Sequence, residues 1–411
     1  MELSDFLKFI YAIDIKKQDS KKVFLGDALH LNLAKDIECI FDIPRFNNSA
    51  MDGYAIKINQ NKYEIKGSIF AGDKEIKDIS FNEAYEITTG ARVPNGCDAV
   101  IQKELIRIEN NELFFNEMPK KGLNIKLQGE CFKKGEILFK KGRKLDVGDI
   151  ATIASQGLNE VEVYKRPRIL MFSSGNEVVE TGKNIDSNQI YDVNFPFLRA
   201  FLKSFNFDLV YGGILKDSAF LIYEKLLDGI KNFDIVVTSG SLSVGARDHM
   251  KEVLLKLGAN ILVDKLNIKP GGLVMLSRIE STFILSLPGN PIASFFNFAL
   301  CIPVLLEKMS GGNNFYIKSI KAKNKLPFKL KKKNNANNII LGEFKDGYFY
   351  AYNSGVYGSS NIKPLSFSNS FCIFSSQNSE DSEDGFIEKD RLIDVILYKY
   401  SFLATISSII N

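Results

Sequence analysis

Three carboxylates, Glu177, Asp217 and Asp248, each lie in a polar loop that follows a short apolar run. Each has an ordinary reading as a solvated loop residue, and Asp248 a second one as a helix N-cap. The loop that ends at Asp248 begins TSGSLSVG, Thr238 to Gly245. Its small residues, Ser239, Gly240, Ser243 and Gly245 among them, let backbone N–H groups approach an anion. The N-terminus of the helix that follows adds partial positive charge. A carboxylate beside a bound phosphate repels it unless a divalent cation lies between them. The functional reading of Asp248 therefore implies Mg²⁺ held by oxygen ligands. Lys265 and Lys269 bracket KLNIK, just before Pro270-Gly271-Gly272. Two ammonium groups facing one way suit a phosphate or a tetrahedral oxyanion, and solvent-exposed lysines are the plain alternative. The segment SLPGNP, with Pro288, Asn290 and Pro291, punctuates a strand-to-helix turn. RFNNSAMDGYA (45–55) is a polar stretch around Asp52, flanked by FDIP and AIKI, with neither helical nor strand periodicity. Asn47-Asn48-Ser49 alone would read as a surface turn.

The elements that must position these groups fall into three textures. From about 45 to 165 short β-type runs such as YEIKGSIFAG, AYEITTG and ELFFNE are separated by turn residues, which predicts mainly β modules. From 167 to 310 strand and helix patterns alternate. Examples are the run Arg168 to Phe172, the helix carrying Phe197, Leu198, Phe201 and Leu202 on one face, DIVVTSG, a helix from Asp248 to Leu257, and a final helix over 291–309. Alternation of this kind predicts a parallel sheet covered on both faces, with ligands beyond the carboxyl ends of its strands. Those ends carry SSGNE, GGILKD, TSGSLSVG and SLPGNP, so Glu177, Asp217 and Asp248 are expected at one sheet edge. The β-type LVMLS after the Gly pair predicts extended backbone across Lys265–Lys269, which would place both lysines on one side. From 314 onward the texture is β again, opened by KLKKKNNANN, read as a solvated hairpin or loop. SSQNSEDSEDG (375–385) reads as a mobile acidic loop, and no internal repeat is visible.

Composition narrows the function. A chain of 411 residues is too long for one core and should divide into two to four domains. Lys and Arg number 53 against 49 acids, a net charge of +4, which does not suggest a nucleic-acid binder. Five scattered cysteines without a CxxC pair argue for a reducing compartment and against structural zinc. Only His30 and His249 are present, which excludes a His-rich metal site. The N-terminus spaces Leu3, Phe6, Leu7 and Ile10 at helical intervals and reads as an amphipathic docking helix, not a signal peptide. No uninterrupted apolar stretch reaches the length of a membrane span, so a soluble, cytoplasmic protein without membrane contact is expected.

Taken in order, RFNNSAMDGYA, ITTGARVPNGCDAVIQKE, SSGNE, QIYDVN, VVTSGSLSVGARD, IKPGG and LPGNP make the chain similar to the molybdopterin molybdenumtransferase (MoeA) family over nearly its full length. The E domain of gephyrin is related to this family. The resemblance implies a multidomain α/β plus β fold, in which a central parallel α/β molybdopterin-binding domain joins mainly β N-terminal modules and a C-terminal β domain. Residues 1–20 would be a helix packing on the central domain, and 21–46 with 131–166 a discontinuous linking β domain. Residues 47–130 would be an inserted β domain carrying SAMDGYA and TTGA, 167–312 the α/β domain and 313–411 the C-terminal β domain.

The implied reaction inserts molybdate into adenylylated molybdopterin with Mg²⁺-dependent release of AMP, giving molybdenum cofactor. By motif, Asp52, Thr89, Asp217 and Asp248 match functional acids and the threonine of TTGA. Glu177, Asp217 and Asp248 match the Mg²⁺ acids. Ser239, Gly240, Ser243, Gly245, Lys265, Lys269, Pro288, Asn290 and Pro291 match substrate-binding positions. Family members are elongated homodimers whose site lies between the α/β domain of one subunit and the β domain of the other. Molybdopterin adenylyltransferase and molybdoenzyme maturation proteins are implied partners.

Three departures stand out. An arginine-rich stretch ending in GED is here NIKLQGEC, with Lys126, Gln128 and Cys131. KPGKP is KPGGL, with Gly272 in place of a cation, and Ser241 replaces a common glycine. The first two weaken local positive charge. The competing activities are a molybdopterin adenylyltransferase, suggested by the α/β domain alone, and a non-catalytic molybdopterin-binding scaffold.

Overall fold

A computed structural model describes residues 1–240, 242, 249–330, 336–374 and 386–399. Ser241, Ser243, Gly245 and Asp248 lie outside the described residues, as do the acidic loop 375–385 and positions 331–335 of the basic run. The chain forms two units. One comprises Lys22–Leu29 and Leu33–Val163, the other Met1–Lys21, His30–Asn32 and Tyr164–Asn411.

The first unit is built on a six-stranded sheet in the order Ala99–Gln102, Gly53–Ile56, Glu83–Ile87, Lys62–Ile69, Glu112–Phe115, Ile106–Glu109. Side chains alternate across it, as a two-residue period requires. Tyr54, Ile56, Tyr63 and Ile101 join one core cluster, and Ala55, Ile69, Ile87 and Val100 another. Gly53 lies in a central strand where an added Cβ would meet the Ile101 carbonyl oxygen at 2.0 Å, so no larger residue fits. The mainly β stretch expected to residue 165 includes one helix, Val147–Ser155. Its cause is local: Asp146 and Asp149 form a capping box, and Arg143 binds the buried Asp149 carboxylate through two 2.8 Å hydrogen bonds.

The second unit holds the α/β sheet, in the order Leu209–Leu215, Ile169–Ser174, Ile235–Ser239, Thr282–Leu287, Leu273–Ile279, Asn260–Lys265. The first four strands are parallel, as expected. The last two are antiparallel additions, because the short connection from Ile279 to Thr282 permits a hairpin and no crossover helix. Ile169, Met171, Ile235, Val237 and Phe283 face one core, and Leu170, Phe172, Val236 and Ile284 the other. Both faces are thus covered. The helix after the TSGSLSVG loop spans Met250–Lys256, shorter than the Asp248 to Leu257 expected.

Helix Pro291–Met309 is long and apolar enough to cross a membrane by length and hydropathy, yet 83% of that window is buried inside the protein. It is the core helix of this unit. The N-terminal helix Leu3–Ala12 packs Leu3, Phe6 and Ile10 into the same cluster. Lys308 donates to the carbonyls of Tyr11 and Ile13 at 2.7 and 2.6 Å, a cation closing the C-terminal end of that helix. The C-terminal part closes a small barrel, since Asn337–Lys345 pairs with both Tyr348–Ala351 and Ser370–Phe374. All five cysteines are free thiols.

Candidate active site

Three parallel strands of the α/β sheet end side by side at Ser174, Ser239 and Leu287. Their ends are tied together: the Ser174 hydroxyl donates to the Ser239 carbonyl at 3.0 Å, and the Gly240 N–H to the Leu287 carbonyl at 3.1 Å. Gly240 has φ +93°, and an added Cβ would lie 2.5 Å from the Ser174 carbonyl oxygen. Both facts demand glycine. Past Leu287, the Pro288 carbonyl receives the Ser294 hydroxyl, Asn290 holds the N-cap position without a side-chain capping bond, and Pro291 occupies the first turn of the helix. The Asn290 side chain donates to Ser359 Oγ at 3.1 Å, and Ile292 N–H to the Ser359 carbonyl at 3.2 Å.

Glu177 and Asp217 are exposed and lie in contiguous loops, with Asp217 N–H directed at Asn176 Oδ1, 3.5 Å away. The Glu177 carboxylate turns back over Gly175, whose added Cβ would lie 2.8 Å from Oε1. Among the described residues no three His, Cys, Asp or Glu side chains converge to hold a metal, and the third expected acid, Asp248, is not described. Glu177 and Asp217 offer oxygen donors only, open to solvent. That donor chemistry fits Mg²⁺.

The two lysines are placed differently from each other. Lys265 ends the strand Asn260–Lys265, opposite Leu273. The chain then bends before Ile268–Lys269, which pairs parallel with Asn337–Asn338 of the C-terminal sheet. The continuous extended run expected over Lys265–Lys269 is therefore broken. The cause is Asn267, whose side chain donates to Glu2 at 2.7 Å while its carbonyl receives the Asn337 N–H at 2.9 Å. The bend carries the chain from one sheet to the other. Lys269, with Gly271, Gly272, Pro288, Asn290, Tyr357 and Ser359, lines a concavity of about 450 Å³, of which Lys265 is not a lining residue. Gly271 has φ +109°, and its carbonyl accepts from Asn297 Nδ2 at 2.7 Å. At Gly272 an added Cβ would press the Leu266 carbonyl at 3.1 Å, so the missing cation coincides with a tight backbone.

In the first unit, Asp52 and Thr89 are brought together. Asp52 Oδ1 accepts from both the N–H and the hydroxyl of Thr89, each at 2.8 Å. These two bonds, the backbone one foremost, hold the Asp52 carboxyl below the usual range, with a smaller push from Lys103. Asp52 and Lys103 line one concavity of about 420 Å³ with Glu86 and Thr88. In Thr89→Ala the hydroxyl bond is lost, and Asp52 is expected to titrate at higher pH than in the unmodified protein. Carboxyl-carbon NMR titration checks this, and equal midpoints would remove the hydroxyl as a cause. The NIKLQGEC segment is the strand partner of RFNNS, with Ile125 opposite Ser49 and Lys126 opposite Asn48. Gln128 there bridges Asn47 and Asp42 through two 2.7 Å hydrogen bonds. Lys126 keeps one cation in this segment, and Cys131 is exposed.

Asp192 and Asn194, both buried beside the strand ends, belong to QIYDVN, a segment whose sequence assigns them no role. The available signal was an Asp two residues before an amphipathic helix, which reads as capping alone. Nothing in the sequence GSSN marks Ser359.

The fold agrees with comparisons to known proteins. The family profile described as "MoeA N-terminal region (domain I and II)" matches residues 1–157, and that described as "Probable molybdopterin binding domain" matches 171–307. The molybdopterin molybdenumtransferase of Haemophilus influenzae is 33% identical over 292 residues, 70% of this chain and 72% of that one. The Staphylococcus epidermidis enzyme of the same name is 32% identical over 308 residues, 72% and 73% of the two chains. A solved molybdopterin biosynthesis MoeA protein from Pyrococcus horikoshii, 24% identical, has the same fold, with a TM-score of 0.78 over 96% of this chain and 99% of that one. With a third of the aligned residues identical across nearly three quarters of a curated relative, this chain belongs to the molybdopterin molybdenumtransferase (MoeA) family.

Proposed function

We propose that this molybdenumtransferase of molybdenum cofactor biosynthesis takes adenylylated molybdopterin as its substrate, inserts molybdate and releases AMP with the help of Mg²⁺. The observation that carries the reading is the convergence of the Ser239–Gly240 turn and the Pro288–Asn290 turn at one sheet edge, the latter turn bordering the concavity that Lys269 lines. The Gly-permitted turn suits close backbone approach to a phosphate. Lys269 supplies positive charge for an oxyanion, and Lys265 a more exposed one. Glu177, Asp217 and Asp248 would hold Mg²⁺, which screens phosphate charge and polarises the phosphoanhydride when bound. The work of the chain is then to bind, orient and neutralise, which needs no histidine. We also propose a cytoplasmic homodimer, the five-part domain division given above, and exchange with molybdopterin adenylyltransferase and molybdoenzyme maturation proteins.

The test is to add molybdate to the protein with Mg²⁺ and adenylylated molybdopterin, and to measure AMP. Stoichiometric AMP with molybdenum retained on the pterin is the expected result. ATP consumption with pyrophosphate release would instead mark an adenylyltransferase, and neither activity a scaffold. The lysines give a sharper check. Hydrogen bonds to charged groups contribute about 1.5–3 kcal/mol, so Lys269→Ala is expected to raise the molybdate requirement ~10-fold or more. Lys265→Ala should do less, and the loss in the double variant should grow at high ionic strength, where the remaining cations are screened. Unchanged molybdate dependence in Lys265→Ala/Lys269→Ala would return both to solvated surface residues.

A further inference from the structure

We infer that Asn194 is a positioning residue for this reaction, clamping the Ser239–Gly240 turn to the Pro288–Asn290 turn. Asn194 opens the helix Asn194–Lys203 and is 8% exposed. Its Nδ2 donates to Ser239 Oγ at 2.6 Å and to the Gly289 carbonyl at 2.8 Å, so each proton of one amide serves a different turn. The Gly289 carbonyl can only accept, which settles which amide atom faces it. The Oδ1 atom is buried without a partner. An unmade bond of that kind is unfavourable. It is tolerated here because Asn alone offers two amide donors on so short a stem: Asp donates none when ionised, Ser one, and Gln is a methylene longer.

Asp192 fixes the clamp in turn. This carboxylate is 5% exposed, and its Oδ1 accepts the N–H groups of Asn194 at 3.0 Å and Phe195 at 3.2 Å. Its Oδ2 accepts the Ser173 hydroxyl at 2.5 Å and lies 3.5 Å from the Tyr211 hydroxyl. The helix start is thereby anchored to the strand Ile169–Ser174, and the amide it presents reaches the ends of the next two parallel strands. Neither Asp192 nor Asn194 touches the reacting groups in this account. They act by setting the separation of two turns that do.

The inference rests on reading this sheet edge as the molybdopterin site, and the test separates the two. Equilibrium binding of adenylylated molybdopterin and kcat/KM for molybdate-dependent AMP release would be measured for the unmodified protein and for Asn194→Ala, below the melting temperature of both. A displaced turn of about 1 Å corresponds to ~100-fold in rate, so that loss in kcat/KM is expected, with binding weakened at least ~10-fold. Adding Ser239→Ala to Asn194→Ala should cost far less than the two single losses combined, because one clamp cannot be broken twice. A residue of merely structural importance would lower Tm and leave binding and kcat/KM of the folded protein unchanged, which overturns the inference. Should Asn194→Ala fail to fold, Asn194→Ser, with one donor left, is expected to fall between it and the unmodified protein, and unmodified kinetics in that variant would equally overturn it. If the unmodified protein itself does not bind adenylylated molybdopterin, the site reading falls.

Discussion

Gly240→Ala is expected to lower kcat/KM for AMP release by about 100-fold while the α/β core stays folded. The added methyl meets two obstacles at once. Gly240 has φ +93°, a region L side chains rarely adopt, and such strain costs on the order of 1–3 kcal/mol. The Cβ would also sit 2.5 Å from the Ser174 carbonyl oxygen. That atom cannot yield, because Ser174 ends a buried strand whose hydroxyl is bonded to the Ser239 carbonyl at 3.0 Å. On the other side Gly289 is packed close: its own added Cβ would lie 3.4 Å from Gly240 Cα. The turn must therefore move as a whole, and a displacement near 1 Å is worth ~100-fold in rate. Steady-state kinetics beside a calorimetric Tm would separate this from unfolding. Unmodified kcat/KM in the folded variant would show that the turn does not touch substrate.

Asp248→Asn is expected to lower Mg²⁺-dependent AMP release at least ~100-fold, the scale of losing a key electrostatic element. The comparison that matters is with Asp217→Asn and Glu177→Gln, the two described acids of the same proposed set. Their loops are contiguous and their donors are oxygen. If the three share one cation, each amide variant should weaken Mg²⁺ binding in titration calorimetry as well as turnover. A cation site weakened but not abolished refills by mass action, so high Mg²⁺ should recover part of the activity for Glu177→Gln. Full turnover by Asp248→Asn at saturating Mg²⁺ would take Asp248 out of the proposed metal set.

The first unit shows how strictly the motif residues are held by backbone geometry. SAMDGYA requires glycine at 53 because a central strand passes the Ile101 carbonyl there, and the next residues of that strand alternate into two cores. The aspartate before it is free to face the Thr89 hydroxyl and N–H. Gly271 in KPGG is constrained in the same way: φ +109° and the Asn297 bond to its carbonyl define the turn that leads out of Lys269.

Much of this was legible in the chain itself. Alternating strand and helix patterns from 167 to 310 have periods of two and 3.6 residues, and those periods alone specify a layered sheet with its loops at one edge. Pro291 after Asn290 announced the start of the core helix, observed as Pro291–Met309. Ser239 and Gly240 announced a loop of small residues after the strand. All of these are local rules, decided by a residue and its near neighbours. What the sequence could not decide was which distant groups meet. Asn194 reaches Ser239 and Gly289 across separations of 45 and 95 residues, and Asn290 meets Ser359 across 69. The bend at Asn267, held by Glu2 and Asn337, broke the extended run expected between the two lysines. The helix Val147–Ser155 emerged from a β texture through a capping box of two acids, one of them held by an arginine. Hydrogen-bond partners of that kind carry no periodic signature, because any Asn, Asp or Ser can serve, and only the folded chain selects the one that does.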